Sequence, residues 1–242
     1  METAKIIILV GESGTGKDTV LHELSKRSID THAFVSTTTR PMRENETDGV
    51  DYYFVNEAEF QQKIKNNDFV EYRSYNTNVS GKQAIWYYGS HKITIDPKKT
   101  YAIVLDLEGA QAFAEYYGKK NCYVVYLTVP GEVRRKRAEN RGSFDETEWE
   151  RRLADDKVKY APENVMQIAD CAVNNIETVE RTADKICKSA DSYFATGTKV
   201  KGSVVQNKQF MTSVGKIVLI FLGAILFTAL LIAGFFIVGA VH

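Results

Sequence analysis

Apolar and polar positions follow two periods along this chain, one belonging to buried strands and one to helices. Residues 5–10 form an apolar run too short for a helix, which predicts a strand buried on both faces. Val20, Leu21 and Leu24 then recur at helical spacing. Runs of the first kind return at 101–106, which ends in Asp106, and at 122–127, with a helix through Phe113 and Tyr117 between them. Shorter β-type stretches are expected at 34–36, 52–55 and 69–72, and helices at 57–66, where Phe60 and Ile64 share a face, and at 133–142, a basic segment that stops at Gly142. Residues 178–190 read as a closing helix with Ile186 inward. Short buried strands alternating with helices predict an α/β fold, a central parallel sheet flanked by helices. The polar stretch 76–83 reads as a loop.

The pattern changes after Asp191. No acidic residue follows, and Gly, Ser, Thr, Lys and Gln lead as far as Lys216, which predicts a flexible basic linker over 191–216. Residues 217–241 are about 25 nearly uninterrupted apolar positions, where about 20 suffice to cross a bilayer. They predict a single C-terminal transmembrane helix. Lys199, Lys201, Lys208 and Lys216 precede that run, so the expectation is a membrane-anchored chain whose N-terminal domain lies on the cytoplasmic side, with the lipid bilayer as a partner.

Lys plus Arg equals Asp plus Glu at 31 each, and a net charge of zero argues against nucleic acid as a partner held by bulk charge. Cys122, Cys171 and Cys187 are odd in number, widely spaced and in apolar surroundings, as buried reduced thiols would be. The four His are scattered, so no metal cluster is expected. Length and composition leave the oligomeric state open.

Chemistry enters between the first strand and the first helix. Gly11-Glu12-Ser13-Gly14-Thr15-Gly16-Lys17 fits G-x-x-x-x-G-K, with Asp18 where a hydroxyl would usually follow, and then Thr19. Such a turn curls backbone N–H groups around an anion at a helix N-terminus, and Lys17 adds a point charge for the outer phosphates. Asp18 is expected to work with Mg²⁺, directly or through a water, and Asp106 to help hold the hydrated ion. Residues 37–43 supply Arg40 and Arg43 around Pro41, a pair of planar forks suited to a second anion.

The combination resembles the guanylate kinase family over about residues 5–190. The resemblance rests on the P-loop followed in order by Ser36-x-Thr38-Thr39-Arg40-x-x-Arg43-x-x-Glu46-x-x-Gly49-x-x-Tyr52-x-Phe54-Val55, Phe69-x-Glu71 and Tyr88-Gly89-Ser90. It implies a P-loop kinase fold over 1–190 with a small monophosphate-binding subdomain at about 36–92 and a mobile lid at about 140–150. The implied reaction is phosphoryl transfer from ATP to GMP, and to dGMP, with Mg²⁺. Positions matching Arg40, Arg43, Tyr52 and Tyr88 would hold the GMP phosphate, and those matching Ser36, Glu71, Ser90 and Glu108 would read guanine. Guanine presents N1–H and the N2 amino group side by side, so one carboxylate at Glu71 can accept from both. Arg137, Arg141 and Arg152 match lid arginines that stabilise charge on the phosphoryl group in transit, and Asn174 matches a residue near the adenine. Arg134, Arg135, Lys136 and Arg151 read as a solvated face.

Two alternatives stay open. One is a catalytically silent scaffold, which intact Gly14, Gly16 and Lys17 count against. The other is a sister kinase with a different phosphorylated acceptor, such as a sugar phosphate.

Overall fold

A computed structural model of the chain describes residues 5–27, 31–79, 82–140 and 144–197. The apolar run becomes β1 (Lys5–Val10) at the centre of a five-stranded parallel sheet. Its partners are β7 (Thr100–Val104) on one side and β8 (Cys122–Thr128) on the other, with β2 (Thr31–Ala33) beyond β7 and β9 (Cys171–Asn174) beyond β8. Successive side chains of a strand point to opposite faces, and here both faces are covered. Ile6, Ile8 and Val10 pack with Phe113 of α3 (Leu107–Tyr117) and Val165 of α6 (Pro162–Ile168). Ile7 and Leu9 pack with Val20 and Leu24 of α1 (Lys17–Arg27) and with Ile186 of α7 (Val179–Thr196). Each of these side chains contributes about 1.5–3 kcal/mol by leaving water, which makes the sheet a rigid base for the turns at its carboxyl edge.

A second sheet has the order β4-β3-β6-β5. It is built from β3 (Ser36–Thr38), β4 (Tyr52–Phe54), β5 (Phe69–Val79) and β6 (Lys82–His91), with α2 (Glu57–Lys65) held by an Asn56–Glu59 capping box. Phe60 of α2 is fully buried and stacks on Phe69 with ring centroids 4.8 Å apart. The remaining helices are α4 (Gly131–Glu139) and α5 (Glu146–Lys159).

The strand expected at 34–36 falls instead on the connection between two sheets: β2 ends at Ala33, β3 begins at Ser36, and buried Phe34 and its neighbour Val35 join them. Within the stretch 76–83, read as a loop, the described residues extend a hairpin instead, because Asn76 pairs with Ile85, Thr77 with Ala84 and Asn78 with Gln83. The closing helix passes residue 190 and runs to Thr196, with Tyr193 buried and Gly197 in the left-handed conformation that ends it. The linker expected from 191 therefore starts with six helical residues.

No helix among the described residues is long and apolar enough to cross a membrane. The membrane location expected from the sequence is corrected on that finding, and with it the cytoplasmic orientation and the bilayer as a partner. Residues 217–241, where the span was expected, and 198–216 before them lie outside the described residues.

Candidate active site

The turn after β1 is drawn tight by its own groups. Thr15 is buried and its hydroxyl donates to the Glu12 carbonyl at 2.8 Å. Gly14 (φ 79°) and Gly16 (φ 87°) take left-handed conformations, and a Cβ on Gly16 would stand 2.8 Å from Asn175 Nδ2. Lys17 opens α1 and bends back over the loop, its Nζ donating to the carbonyls of Gly11 (2.6 Å) and Glu12 (3.0 Å). Asp18 and Thr19 are exposed on the first turn of α1. Burial and then the Asp18 carboxylate push the Tyr52 hydroxyl well above its ordinary pKa.

Asn175, one residue past the Asn174 singled out in the sequence, ties this loop to the sheet. Its Nδ2 donates to the Thr15 carbonyl at 2.8 Å, its Oδ1 accepts from Thr182 Oγ1 at 2.8 Å, and its own carbonyl accepts from Arg137 at 2.8 Å. Arg137 also reaches the Thr15 carbonyl at 3.2 Å. Asn174 Oδ1 is buried without a hydrogen bond. Nothing in residue type separates two adjacent asparagines; only the path of the chain out of β9 does.

In the second sheet the pairing sets Glu71 opposite Ser90 and Arg73 opposite Tyr88. Ser90 Oγ donates to Glu71 Oε1 at 2.6 Å, and Ser36 Oγ lies 3.4 Å from Ser90 Oγ. Burial lifts the Glu71 pKa above its ordinary value, with the Ser90 bond and then Arg73 opposing. Arg40 is 4% exposed, forks onto Glu46 at 2.7 and 2.9 Å and lies over the Tyr52 ring at 5.4 Å, whereas Arg43 is exposed and 3.6 Å from Glu46. The Tyr88 ring meets Tyr52 at 6.0 Å and Tyr75 at 5.7 Å.

Asp106 is fully engaged. Its Oδ1 caps α3 by accepting from Gly109 N at 2.8 Å, and its Oδ2 accepts from Tyr75 OH and Lys159 Nζ, both at 2.9 Å. Burial works against its charge, but Lys159, Gly109 N–H and Tyr75 outweigh it and hold the carboxyl below its usual pKa. Glu108 is exposed and lies 3.1 Å from Arg73 Nε. Mg²⁺ takes oxygen ligands, keeps several waters and needs only one or two carboxylates beside phosphate oxygens. Asp18 fits that demand better than Asp106, whose oxygens are already shared among three donors. No group of three or more His, Cys, Asp or Glu is placed to hold a metal ion among the described residues.

The helical arginines divide. Arg152 on α5 donates to Glu148 Oε1 at 2.7 Å, and Arg151 pairs with the same carboxylate and with Asp155. Arg141 lies outside the described residues. Residues 146–150, expected within a mobile lid, form the first turns of α5 with Glu148 and Trp149 buried. Arg134, read as part of a solvated face, is 8% exposed and pairs with Glu12 at 3.1 Å. Its charge is matched from the P-loop rather than by water, which the sequence pattern of a basic helix does not reveal.

One cleft of about 890 Å³ gathers these parts: Gly11, Ser13 and Lys17 at one end, Ser36, Tyr52, Glu71, Tyr88 and Ser90 on the second sheet, and Asp106, Glu108 and Arg152 along the wall. Residues 3–189 match the family model for guanylate kinase. The chain belongs to the guanylate kinase family. By class it is thus a nucleoside monophosphate kinase. A guanylate kinase of Clostridium tetani is 32% identical over 213 residues, covering 86% of this chain and 96% of its own. Another from Prochlorococcus marinus is 33% identical over 190 residues, 76% of this chain and 97% of its own. The crystal structure of guanylate kinase from Anaplasma phagocytophilum aligns with TM-score 0.60 at 24% identity over 83% of this chain and 92% of that one, a likeness of fold. The sequence pattern gives no site role to Asn175, Arg73, Tyr75, Asp156 or Lys159, and it sets Arg134 on a solvated face.

Proposed function

We propose that this family member transfers the γ-phosphoryl group of ATP to GMP, giving ADP and GDP, and accepts dGMP as well. The observation that carries the reading is the single cleft in which a P-loop lysine and a buried Glu71–Ser90 pair border the same space.

Each protein group has a task that follows from its position. Lys17 leaves its own loop carbonyls for the outer phosphates of ATP, and the loop amides donate to the same oxygens. Ser90 keeps one oxygen of Glu71 oriented, and the ionised carboxylate accepts from N1–H and N2–H of guanine, where adenine offers no matching donors. Arg40 already has its fork organised by Glu46 and lies beside Tyr52, so the acceptor phosphate is recruited to a preformed cation, with Arg43 and Tyr88 completing its ring of donors. Of the three arginines expected to stabilise charge that spreads over the phosphoryl oxygens, Arg137 and Arg152 lie among the described residues.

Mg²⁺, when bound, neutralises charge on the β- and γ-phosphates. Asp18 would hold it, through water. Replacing Asp18 with Ala should raise the Mg²⁺ concentration needed for half-maximal rate by several-fold, read from a metal titration of initial rate. An unchanged titration removes Asp18 from that role.

The reading is tested by ADP release in a coupled assay with GMP, dGMP, AMP and sugar phosphates as acceptors. GMP and dGMP should be preferred over AMP by at least about a hundredfold in kcat/KM, since a base pocket built around matched hydrogen bonds rejects a base that leaves them unpaired. Absence of turnover with every acceptor would favour the scaffold alternative.

A further inference from the structure

Asp156 holds a P-loop amide. It is buried on α5, and its Oδ2 accepts a 2.6 Å hydrogen bond from the Ser13 backbone N–H. Arg134 of α4 stands between this carboxylate and Glu12: its NH2 is 3.1 Å from Glu12 Oε1, its NH1 is 3.9 Å from Asp156 Oδ2, and NH1 donates to the Ser13 carbonyl at 3.3 Å. The cluster contains two acids and one guanidinium, all on or against the loop that receives phosphate. Burial lifts the Glu12 pKa; Arg134 opposes this, Asp156 adds to it, and Lys17 opposes it in turn.

Asp156 is also fixed to the phosphoryl-stabilising side of the cleft. Glu148, Arg152 and Asp156 recur every four residues, so they share one face of α5, and all three border the cleft. A helix moves as a unit, so whatever displaces Asp156 also displaces Arg152.

We propose that Asp156 is a positioning residue that competes with the ATP phosphates for the Ser13 amide, yields it as the triphosphate binds, and thereby couples ATP binding to the helix that carries Arg152. This rests on ATP as the phosphate donor but not on GMP as the acceptor. The physical basis is simple. A carboxylate and a phosphate oxygen seek the same donor, and two anions a few ångströms apart in a partly desolvated site repel strongly.

The test is Asp156→Asn in the full chain, which keeps the shape and removes the charge. KM for ATP should fall by about threefold or more while KM for GMP stays put, and inorganic tripolyphosphate should bind more tightly by a similar factor in calorimetry. Glu150→Gln removes an exposed charge from the same helix and should leave both values as they are. Unchanged or weaker binding of ATP and tripolyphosphate to Asp156→Asn overturns the proposal, because a purely structural role predicts loss. Should that variant fail to fold, the wild-type chain carries the test by nuclear magnetic resonance. On titration with tripolyphosphate the Asp156 carboxyl and the Ser13 amide should shift together with one midpoint. Shifts of neighbouring P-loop amides while those two stay still would overturn it. The tripolyphosphate arms read Asp156 whether or not GMP is phosphorylated, so failure of the GMP reading is seen separately in the acceptor assay.

Discussion

In the proposed reaction Lys17 and Glu71 would carry the two halves, and each makes a separate prediction. Lys17 Nζ is within 3.0 Å of two carbonyls of its own loop, so its loss removes a charge aimed at the phosphates without opening the apolar core. Lys17→Ala should keep its circular dichroism and melting profile while kcat falls by roughly three orders of magnitude, the scale on which charge stabilisation acts in phosphoryl transfer. Near-normal turnover would contradict that role. For Glu71 the sign follows from burial. Its pKa is raised, so it stays protonated to a higher pH than an ordinary glutamate near 4.3, and only the ionised form accepts two N–H groups from guanine. The acid limb of kcat/KM for GMP should therefore lie above that ordinary value, since kcat/KM reports groups of the free enzyme. Glu71→Gln should lower kcat/KM for GMP by at least about tenfold and abolish that limb. A limb that persists in the variant belongs to another group.

At the scale of elements, what was legible in the sequence was what period and glycine spacing encode. The run 5–10 and the glycines after it gave β1, its turn and α1 because a fully buried strand and a left-handed turn leave few residue choices. Long-range pairing was not legible. The polar stretch 76–83 has the composition of a loop, yet its described residues pair across strands and lengthen the hairpin that also carries Tyr75, the partner of Asp106. The order of β2 and β3 depends on which sheet each edge joins, and no local pattern reports that. Asn175 shows the same limit on a smaller scale, since its importance comes from Thr15, 160 positions earlier in the chain. Asn175→Ala leaves Thr15 O without that donor and the Thr182 hydroxyl without its acceptor in a buried site. It should cost roughly 2–3 kcal/mol of stability and raise KM for ATP, measured by a urea midpoint and by initial rates. A change in neither would mean that the P-loop is held by its own turn alone.

For the whole molecule, the parallel sheet sets the P-loop at its carboxyl edge and the second sheet brings the Glu71 carboxyl to the same cleft. Family membership speaks for the class of chemistry, while the choice of acceptor depends on a handful of side chains. In the proposed reading Glu71, Ser90 and Ser36, joined by hydrogen bonds, would meet the guanine edge, and Arg40, ordered by Glu46, would meet the monophosphate. A sugar phosphate would satisfy the second feature and leave the first unpaired, at a cost that buried polar groups make large. The most direct measurement is the rate of ADP formation by the purified chain with ATP and Mg²⁺, compared across GMP, dGMP, AMP and a hexose phosphate at equal concentration. Rapid turnover with GMP and dGMP alone is the result predicted here; equal or faster turnover with AMP or the sugar phosphate would contradict it.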